Sequence, residues 1–421
     1  MTKQAIQLMG MPYVPGVACG ILQRGTSAET AGRIVVLNRT GPDYYEVLPA
    51  GFVVIDGAPF SHRMIPMLGM GVPTVIVSAE QAAALPDGME IMLNGTRGSI
   101  TSAVSVMNAP NDSRHTPSCI TADGVRIELR VSARDAPAAQ RAARCGADAI
   151  GLVRSEFLVP PDGHVPDVDF YRREFKALCE AAAPLAVTIR LIDIAADKLP
   201  AWLPAHAATT GTLGLQGVRL FSREPVRSVY LAQLTAINAL SGQFDLRVLI
   251  PYVDSQEELL DWAGQVRQKL SRPVVLGAMA ETPAAALQVA DWLETVDFVA
   301  LGCNDLMQCF FGADRDRPEL RRYLNPYAPP LYRFLQQVAD AASEQLQCVQ
   351  MCGVLPQLPG ILPILLGLGF RVFSVEAAFL DHMKQTIAIT SIAQARQLAS
   401  HVCTMQSSAD VQARLYSKTS G

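Results

Sequence analysis

The sequence predicts an α/β protein in which a small mixed domain is followed by a (β/α)8 TIM barrel. Three observations carry that expectation. The chain has 421 residues, room for two or three domains of roughly 150 residues, with half of them hydrophobic and 18% charged, which excludes a disordered polymer. Past residue 124, eight apolar runs of strand length recur with amphipathic stretches between them, the repeat of a parallel barrel. A polar segment without helical or alternating period, NAPNDSRHTPSCITAD, separates that repeat from shorter runs upstream.

In chain order, RIVVL, GFVVI and VPTVIV alternate with Gly/Pro/Asp turns between Ile34 and Ser102, and a short helix fits between Met64 and Met70. These define a first domain over 1–107 and a linker over 108–123. The barrel occupies 124–421, its strands being VRIELRV, AIGLV, AVTIRLI, LRVLIPYV, VVLGAMA, DFVALG, CVQMCG and RVFSV. GVRLF at 217–221 looks like a ninth strand, but the Pro/Ala/Thr-rich segment before it leaves no room for a crossover helix, so it is assigned to irregular structure on the barrel. The alternative, a doubly wound open sheet, lacks the Gly-rich fingerprint after an early strand. The polar tail from Ser407 onward is expected to fray.

Composition narrows the function classes. The net charge is -4 and no long run of one sign occurs, so nucleic acid is not an expected partner. The longest strongly apolar stretch, Leu358 to Phe370, is interrupted by proline and shorter than the roughly 18 to 20 residues of a membrane span. The N-terminus lacks the apolar core and cleavage site of a secretory signal, and a cytoplasmic location is the default expectation. Nine cysteines without a C-x-x-C pair fit reduced thiols rather than a disulfide framework or zinc knuckle.

Ionisable and polar residues cluster at or just beyond the carboxyl ends of the barrel runs, on the face where a barrel builds its active site. They are Arg154 and Glu156, Arg190 and Asp193, Glu281, Asn304 and Asp305, and Cys352, with Lys198 nearby. Arginines clamp phosphate or carboxylate bidentately, and carboxylates on different strands can share a hard cation. The set implies a small anionic ligand bound with Mg2+. Taken singly, Arg154 with Glu156 also reads as a structural ion pair, and Cys352 as a small buried hydrophobe. In the first domain, Ser61 and His62 follow a short strand and precede the short helix, where backbone N–H groups could stabilise a phosphate on the imidazole. An ordinary loop histidine is the bland reading of the same residue.

The chain resembles the PEP-utilising enzymes: enzyme I of the bacterial sugar phosphotransferase system, pyruvate phosphate dikinase and PEP synthase. The matching segments are PGVACG, GAPFSHRMIPMLGMGVP, GLVRSEFL, RLIDIAADKLP, LGLQGVRL, MAETPAAA, LGCNDLMQ, ADRDR and QMCG, in the family's order from about residue 14 to residue 380. The cast is most similar to enzyme I without its helical phosphocarrier-binding domain, and without a dikinase's ATP-grasp domain. The resemblance implies a small swivelling phosphohistidine domain and a barrel that binds phosphoenolpyruvate with Mg2+. It implies that His62 receives the phosphoryl group and that Glu281 and Asp305 hold Mg2+. Arg154, Arg190, Arg315, Asn304 and Lys198 then clamp phosphate and carboxylate, and Cys352 protonates the departing enolate to pyruvate. It also implies a homodimer formed through the barrel and a phosphoryl acceptor, protein or small molecule, that the sequence does not identify.

The chain departs from the family pattern at Leu68 and Gln216, where arginines are usual, at Ala195 and Ala196 in place of two glycines, and at Val354 in place of a glutamate. Arg63, beside His62, is a candidate substitute cation. The departures keep two alternatives in view: a split dikinase or PEP synthase-like enzyme with a separate phosphoryl donor, and a catalytically silent PEP-binding regulator.

Overall fold

A computed structural model describes residues 6–25, 30–38, 47–102, 119–196, 198–204, 211 and 213–416. Residues 108–118 of the expected linker lie outside these described residues.

Eight strands build the first sheet: β1 (Gln7–Met9), β2 (Met11–Val14), β3 (Val17–Arg24), β4 (Arg33–Asn38), β5 (Gly51–Ile55), β6 (Thr74–Val77), β7 (Glu90–Asn94) and β8 (Ser99–Thr101). Their order is β1-β8-β7-β3-β4-β5-β6-β2, with β3 to β6 parallel and both flanks antiparallel. Strand alternation explains the layering. Ile34, Val36, Val53, Val75 and Val77 face one side, where they pack with Leu22, Ala82 and Leu85. Val35, Leu37, Phe52, Val54 and Ile76 face the other, in one continuous core with Met64, Leu68 and the barrel residues. A sheet apolar on both faces must be covered twice. Helix α1 (Ile65–Met70) and helix α2 (Ala79–Ala83) lie in the connections of this sheet. The expected helix is α1, started by Pro66 in its first turn and ended by Gly71 at φ 68. Helix α2 was not anticipated, although its Ser78/Gln81 capping box was legible as S-x-x-Q.

The eight barrel strands are β9 (Glu128–Ala133), β10 (Ala149–Arg154), β11 (Val187–Arg190), β12 (Leu246–Val253), β13 (Val275–Ala280), β14 (Phe298–Gly302), β15 (Val349–Cys352) and β16 (Val372–Glu376). All neighbours are parallel and β16 closes on β9. Inward-facing Leu152, Leu249, Met279, Phe298, Ala300 and Cys352 form their own cluster, so the barrel interior is packed. GVRLF is a 3-10 turn over Gly217–Leu220, outside the barrel sheet. The first barrel strand starts three residues later than the apolar run suggests. Ile120 bridges Arg126 and the Ile127 N–H bonds the Cys119 carbonyl, so this segment pairs with the chain before it.

The expectation for the tail is corrected as far as Tyr416, residues 417–421 lying outside the described residues. Ser408–Tyr416 is helical, because Ser407 Oγ accepts from the Asp410 N–H at 3.2 Å and Val411 is fully buried. Among the described residues, no helix is long and apolar enough to cross a membrane.

Candidate active site

Strand ends deliver the site. Strand β10 ends at Arg154, and the 3-10 turn Ser155–Phe157 turns Glu156 inward. Strand β11 ends at Arg190, and the loop beyond it carries Asp193 and Lys198. Glu281 follows β13, and Cys352 ends β15. Helix α3 (Cys303–Phe311) starts directly after β14, placing Asn304 and Asp305 in its first turn. It stops at Gly312 in the left-handed region, and the following turn presents Arg315 and Asp316.

From the other domain, His62 reaches the same mouth. Its backbone N–H donates to Asp316 Oδ1 at 2.8 Å, its Nδ1 lies 3.1 Å from Asp316 Oδ2, and Arg315 Nη2 lies 2.9 Å from its Nε2. The domains also meet where Arg321 Nη2 pairs with Asp56 Oδ1 at 2.8 Å and where α1 lies against Ala377–Phe379, a Cβ at Gly71 falling 3.3 Å from that of Ala378. The nine residues to which the resemblance assigns a role, His62, Arg154, Arg190, Lys198, Glu281, Asn304, Asp305, Arg315 and Cys352, line one cavity together with Glu156, whereas Asp193 and Ser61 do not line it.

The cavity wall is a charge mosaic. Arg190 Nη2 donates to Glu156 Oε1, and its Nη1 lies 2.8 Å from Asp193 and 4.0 Å from Glu281. Lys198 Nζ bonds Asp193 and lies 3.8 Å from Glu156. Glu156 therefore pairs with Arg190 and Lys198, not with Arg154, which corrects the structural-pair reading. Among the described residues Arg154 has no carboxylate within ion-pair distance, which leaves it to an anion. Although burial alone would favour loss of its proton, Asp193, Glu156 and Glu281 hold Arg190 firmly charged.

Glu281 sits deeper. Burial first, then the charges of Asp305 and Asp193, push its carboxyl up to about 8, against the pull of Arg190 and Lys198. Its Oε2 accepts from the Tyr252 N–H at 3.2 Å, and its seat exists because residue 302 is glycine: a Cβ there would lie 2.5 Å from Glu281 Oε1. Asn304 is seated the same way, since Gly353, at φ 99, would place a Cβ 2.8 Å from Asn304 Oδ1, which accepts from the Val354 N–H at 2.9 Å. Burial, and next the charge of Glu281, push the Cys352 thiol up to about 12, so it is protonated at neutral pH.

A hard cation fits this donor set. Glu281 and Asp305 are oxygen donors crowded enough to raise a carboxyl pKa, and a divalent ion relieves that crowding. Among the described residues no group of three or more His, Cys, Asp or Glu side chains is placed to hold a metal ion, so the fit rests on the two carboxylates alone. Buried Glu156 Oε2 and Arg190 Nε have no hydrogen-bond partner among the described residues, which leaves capacity for a polar ligand.

The unusual positions have physical explanations of their own. Leu68 lies on the buried face of α1, and Val354 is buried beside Asn304, and neither side chain lines the cavity. Gln216 is buried ahead of Gly217, whose φ of 52 brings the backbone against Tyr252. Arg63 is exposed and does not line the cavity; the cation at the imidazole is Arg315. Asp316 carried no assignment from the sequence, because nothing in A-D-R-D-R marks which carboxylate will meet a histidine 254 positions away.

Comparison with known proteins matches residues 29–98 to the mobile domain of PEP-utilising enzymes and residues 109–392 to their PEP-binding domain. The chain is similar to the phosphoenolpyruvate-protein phosphotransferase of Haloferax volcanii, at 30% identity over 90% of this chain and 71% of that protein. It is similar to the protein of the same name from Streptomyces coelicolor, at 31% identity over 84% of this chain and 65% of the relative. Multiphosphoryl transfer protein 2 of Escherichia coli is 27% identical over 86% of this chain and 46% of its own length.

Proposed function

The chain belongs to the PEP-utilising enzymes, and from that membership we propose that it moves the phosphoryl group of phosphoenolpyruvate to His62 and on to a second acceptor, releasing pyruvate. One observation carries the reading: the imidazole of the first domain enters the mouth of the barrel and meets Arg315 at Nε2, inside the cavity lined by Arg154, Arg190, Lys198, Glu281 and Cys352.

The residues divide the work by chemistry. Arg315 Nη2 can only donate, so the Nε2 it meets carries a lone pair, the electrons a nucleophile needs. Arg315 and Arg154 take up phosphoryl oxygens, while Arg190 and Lys198, held in place by Glu156 and Asp193, hold the carboxylate end. Glu281 and Asp305 would hold Mg2+, which would supply positive charge to offset that of the transferring group. As Nε2 bonds phosphorus, the P–O bond to the enol oxygen breaks and its electron pair leaves with the enolate. The Cys352 thiol, protonated and lining the cavity, turns from the Leu301 carbonyl it meets at 3.3 Å and gives its proton to the methylene carbon, forming pyruvate. Preorganised donors and charges of this kind stabilise charge that develops in the transition state without having to reorganise.

The names of the relatives support a protein as the acceptor. The phosphorylated domain must leave the barrel mouth to reach it, and the contacts it would break include Arg321 with Asp56, Asp316 and Arg315 with His62, and the apolar face of α1. Homodimerisation through the barrel is part of the same reading, and light scattering that gave a monomer mass at micromolar concentration would contradict it.

The test is intact-protein mass spectrometry at alkaline pH, where phosphohistidine survives, after incubation with phosphoenolpyruvate and Mg2+. The expected result is a gain of one phosphoryl group in wild type and none in His62→Ala. No gain in a folded wild-type protein would return the function to a different phosphoryl source or to a silent PEP-binding role.

A further inference from the structure

We infer that Asp316 is a positioning residue for His62, holding the ring in its reactive tautomer only while the first domain is docked on the barrel. The inference rests on the proposed phosphorylation of His62 and adds a group to it.

The geometry is unambiguous about roles. Arg315 Nη2, a guanidinium nitrogen without a lone pair, lies 2.9 Å from Nε2, so Nε2 must be the acceptor. The ring proton of neutral His62 then sits on Nδ1, 3.1 Å from Asp316 Oδ2. The other carboxylate oxygen of Asp316 takes the backbone N–H of His62 at 2.8 Å. Two oxygens of one carboxylate thus grip one residue at two points, which fixes the position of its backbone and the rotation of its ring. The opposite tautomer would set a lone pair on Nδ1 against a carboxylate and an N–H against a guanidinium, losing both bonds at once.

The carboxylate also suits the charge that develops. When the Nε2 lone pair forms the N–P bond and the enol oxygen departs with its electron pair, Nδ1 keeps its proton and the ring becomes cationic. Asp316 faces that cation directly, as a carboxylate does behind a catalytic imidazole. Its own carboxyl is held below the usual range, burial being outweighed by the hydrogen bonds it accepts from His62 and by the charge of Arg315.

Asp316 and His62 belong to different domains. Tautomer and docking are therefore linked: a His62 swung away from the barrel loses both contacts of this carboxylate, and its ring is no longer restricted to the nucleophilic form.

The experiment uses the full chain with 15N-labelled histidine. Long-range 15N–1H correlation reads the tautomer of His62, assigned by the signal missing in His62→Ala, and rapid quench reads phosphohistidine formation from phosphoenolpyruvate. Asp316→Asn keeps the shape but cannot accept at both atoms, because one oxygen becomes an NH2 group. It is expected to lose the Nδ1–H pattern and to slow phosphoryl transfer on the order of 10²- to 10⁴-fold. Asp316→Glu, which keeps a carboxylate, is expected to recover part of both, and its thermal melt shows whether the turn tolerates substitution. Wild-type tautomer or wild-type rate in Asp316→Asn overturns the inference. If wild type takes no phosphoryl group from phosphoenolpyruvate, the proposed function itself fails, whereas the tautomer comparison still reports on Asp316 separately.

Discussion

Replacing Gly302 by alanine isolates the contribution of one carboxylate. Residue 302 has φ -81 and ψ 81, open to any L-residue, so alanine brings no backbone strain. The new Cβ lies 2.5 Å from Glu281 Oε1 and 2.6 Å from its Cγ, where ordinary contact begins at 3.4 Å, so the carboxylate must retreat by about 0.9 Å. It cannot retreat freely, because Oε2 is held by the Tyr252 N–H and Arg190 stands at 4.0 Å. A displacement of about 1 Å at a reacting centre costs on the order of 10²-fold in rate, and a misplaced ligand weakens metal binding about 10- to 100-fold. Replacing glycine also stiffens the unfolded chain, a gain of about 0.4–1 kcal/mol that limits any fall in stability. The assay is rapid-quench phosphorylation of His62 across a Mg2+ titration, with a thermal melt alongside. A Gly302→Ala protein with wild-type rate and wild-type Mg2+ dependence would refute both the seating of Glu281 by Gly302 and its part in holding the ion.

Other outcomes follow from the same geometry. Cys352→Ala is expected to slow pyruvate release on the order of 10²- to 10⁴-fold in a coupled pyruvate assay, while calorimetry shows phosphoenolpyruvate binding little changed. Leu68→Arg, which installs the arginine that the resemblance leads one to expect there, is expected to destabilise by about 3–5 kcal/mol, read as a lower denaturation midpoint, because Leu68 is 1% exposed and its surroundings are apolar. Arg321→Ala is expected to change global stability by no more than about 1 kcal/mol, the value of an exposed ion pair, yet to raise amide exchange along α1 as the first domain undocks more often. The Asp316 carboxyl is depressed by docking, so its contribution to docking is fully present above the ordinary aspartate pKa of about 3.9 and is lost as pH falls through its lower docked value. Small-angle scattering should accordingly show no Asp316-dependent opening between about pH 5 and 8, and a difference there between wild type and Asp316→Asn that varies with pH would contradict the assignment.

Most of the barrel was legible because its strands are buried on both faces and read as short apolar runs set apart by amphipathic helices. Strand ends could be read with them, and polar residues at those ends, such as Arg154, Glu281 and Cys352, necessarily share one rim once the strands are parallel. The misreadings were local. The tail reads as polar because Val411 is the fully buried residue on a helix whose other described side chains are half-buried or exposed, and the Ser407–Asp410 cap did not enter that reading.

What the chain order alone determined is therefore periodicity and chemistry: an α/β architecture, a histidine beside a short helix, and a rim of arginines, carboxylates and a thiol. Tertiary structure decided the partners. Glu156 pairs with Arg190 instead of Arg154, Leu68 belongs to the core, and Asp316 meets His62 across two domains. Local spacing fixes which way a side chain points within its own element. Which charges end within 3 Å of each other depends on the closure of the barrel and the docking of the first sheet, and both are set by the packing of apolar surfaces far apart in the chain.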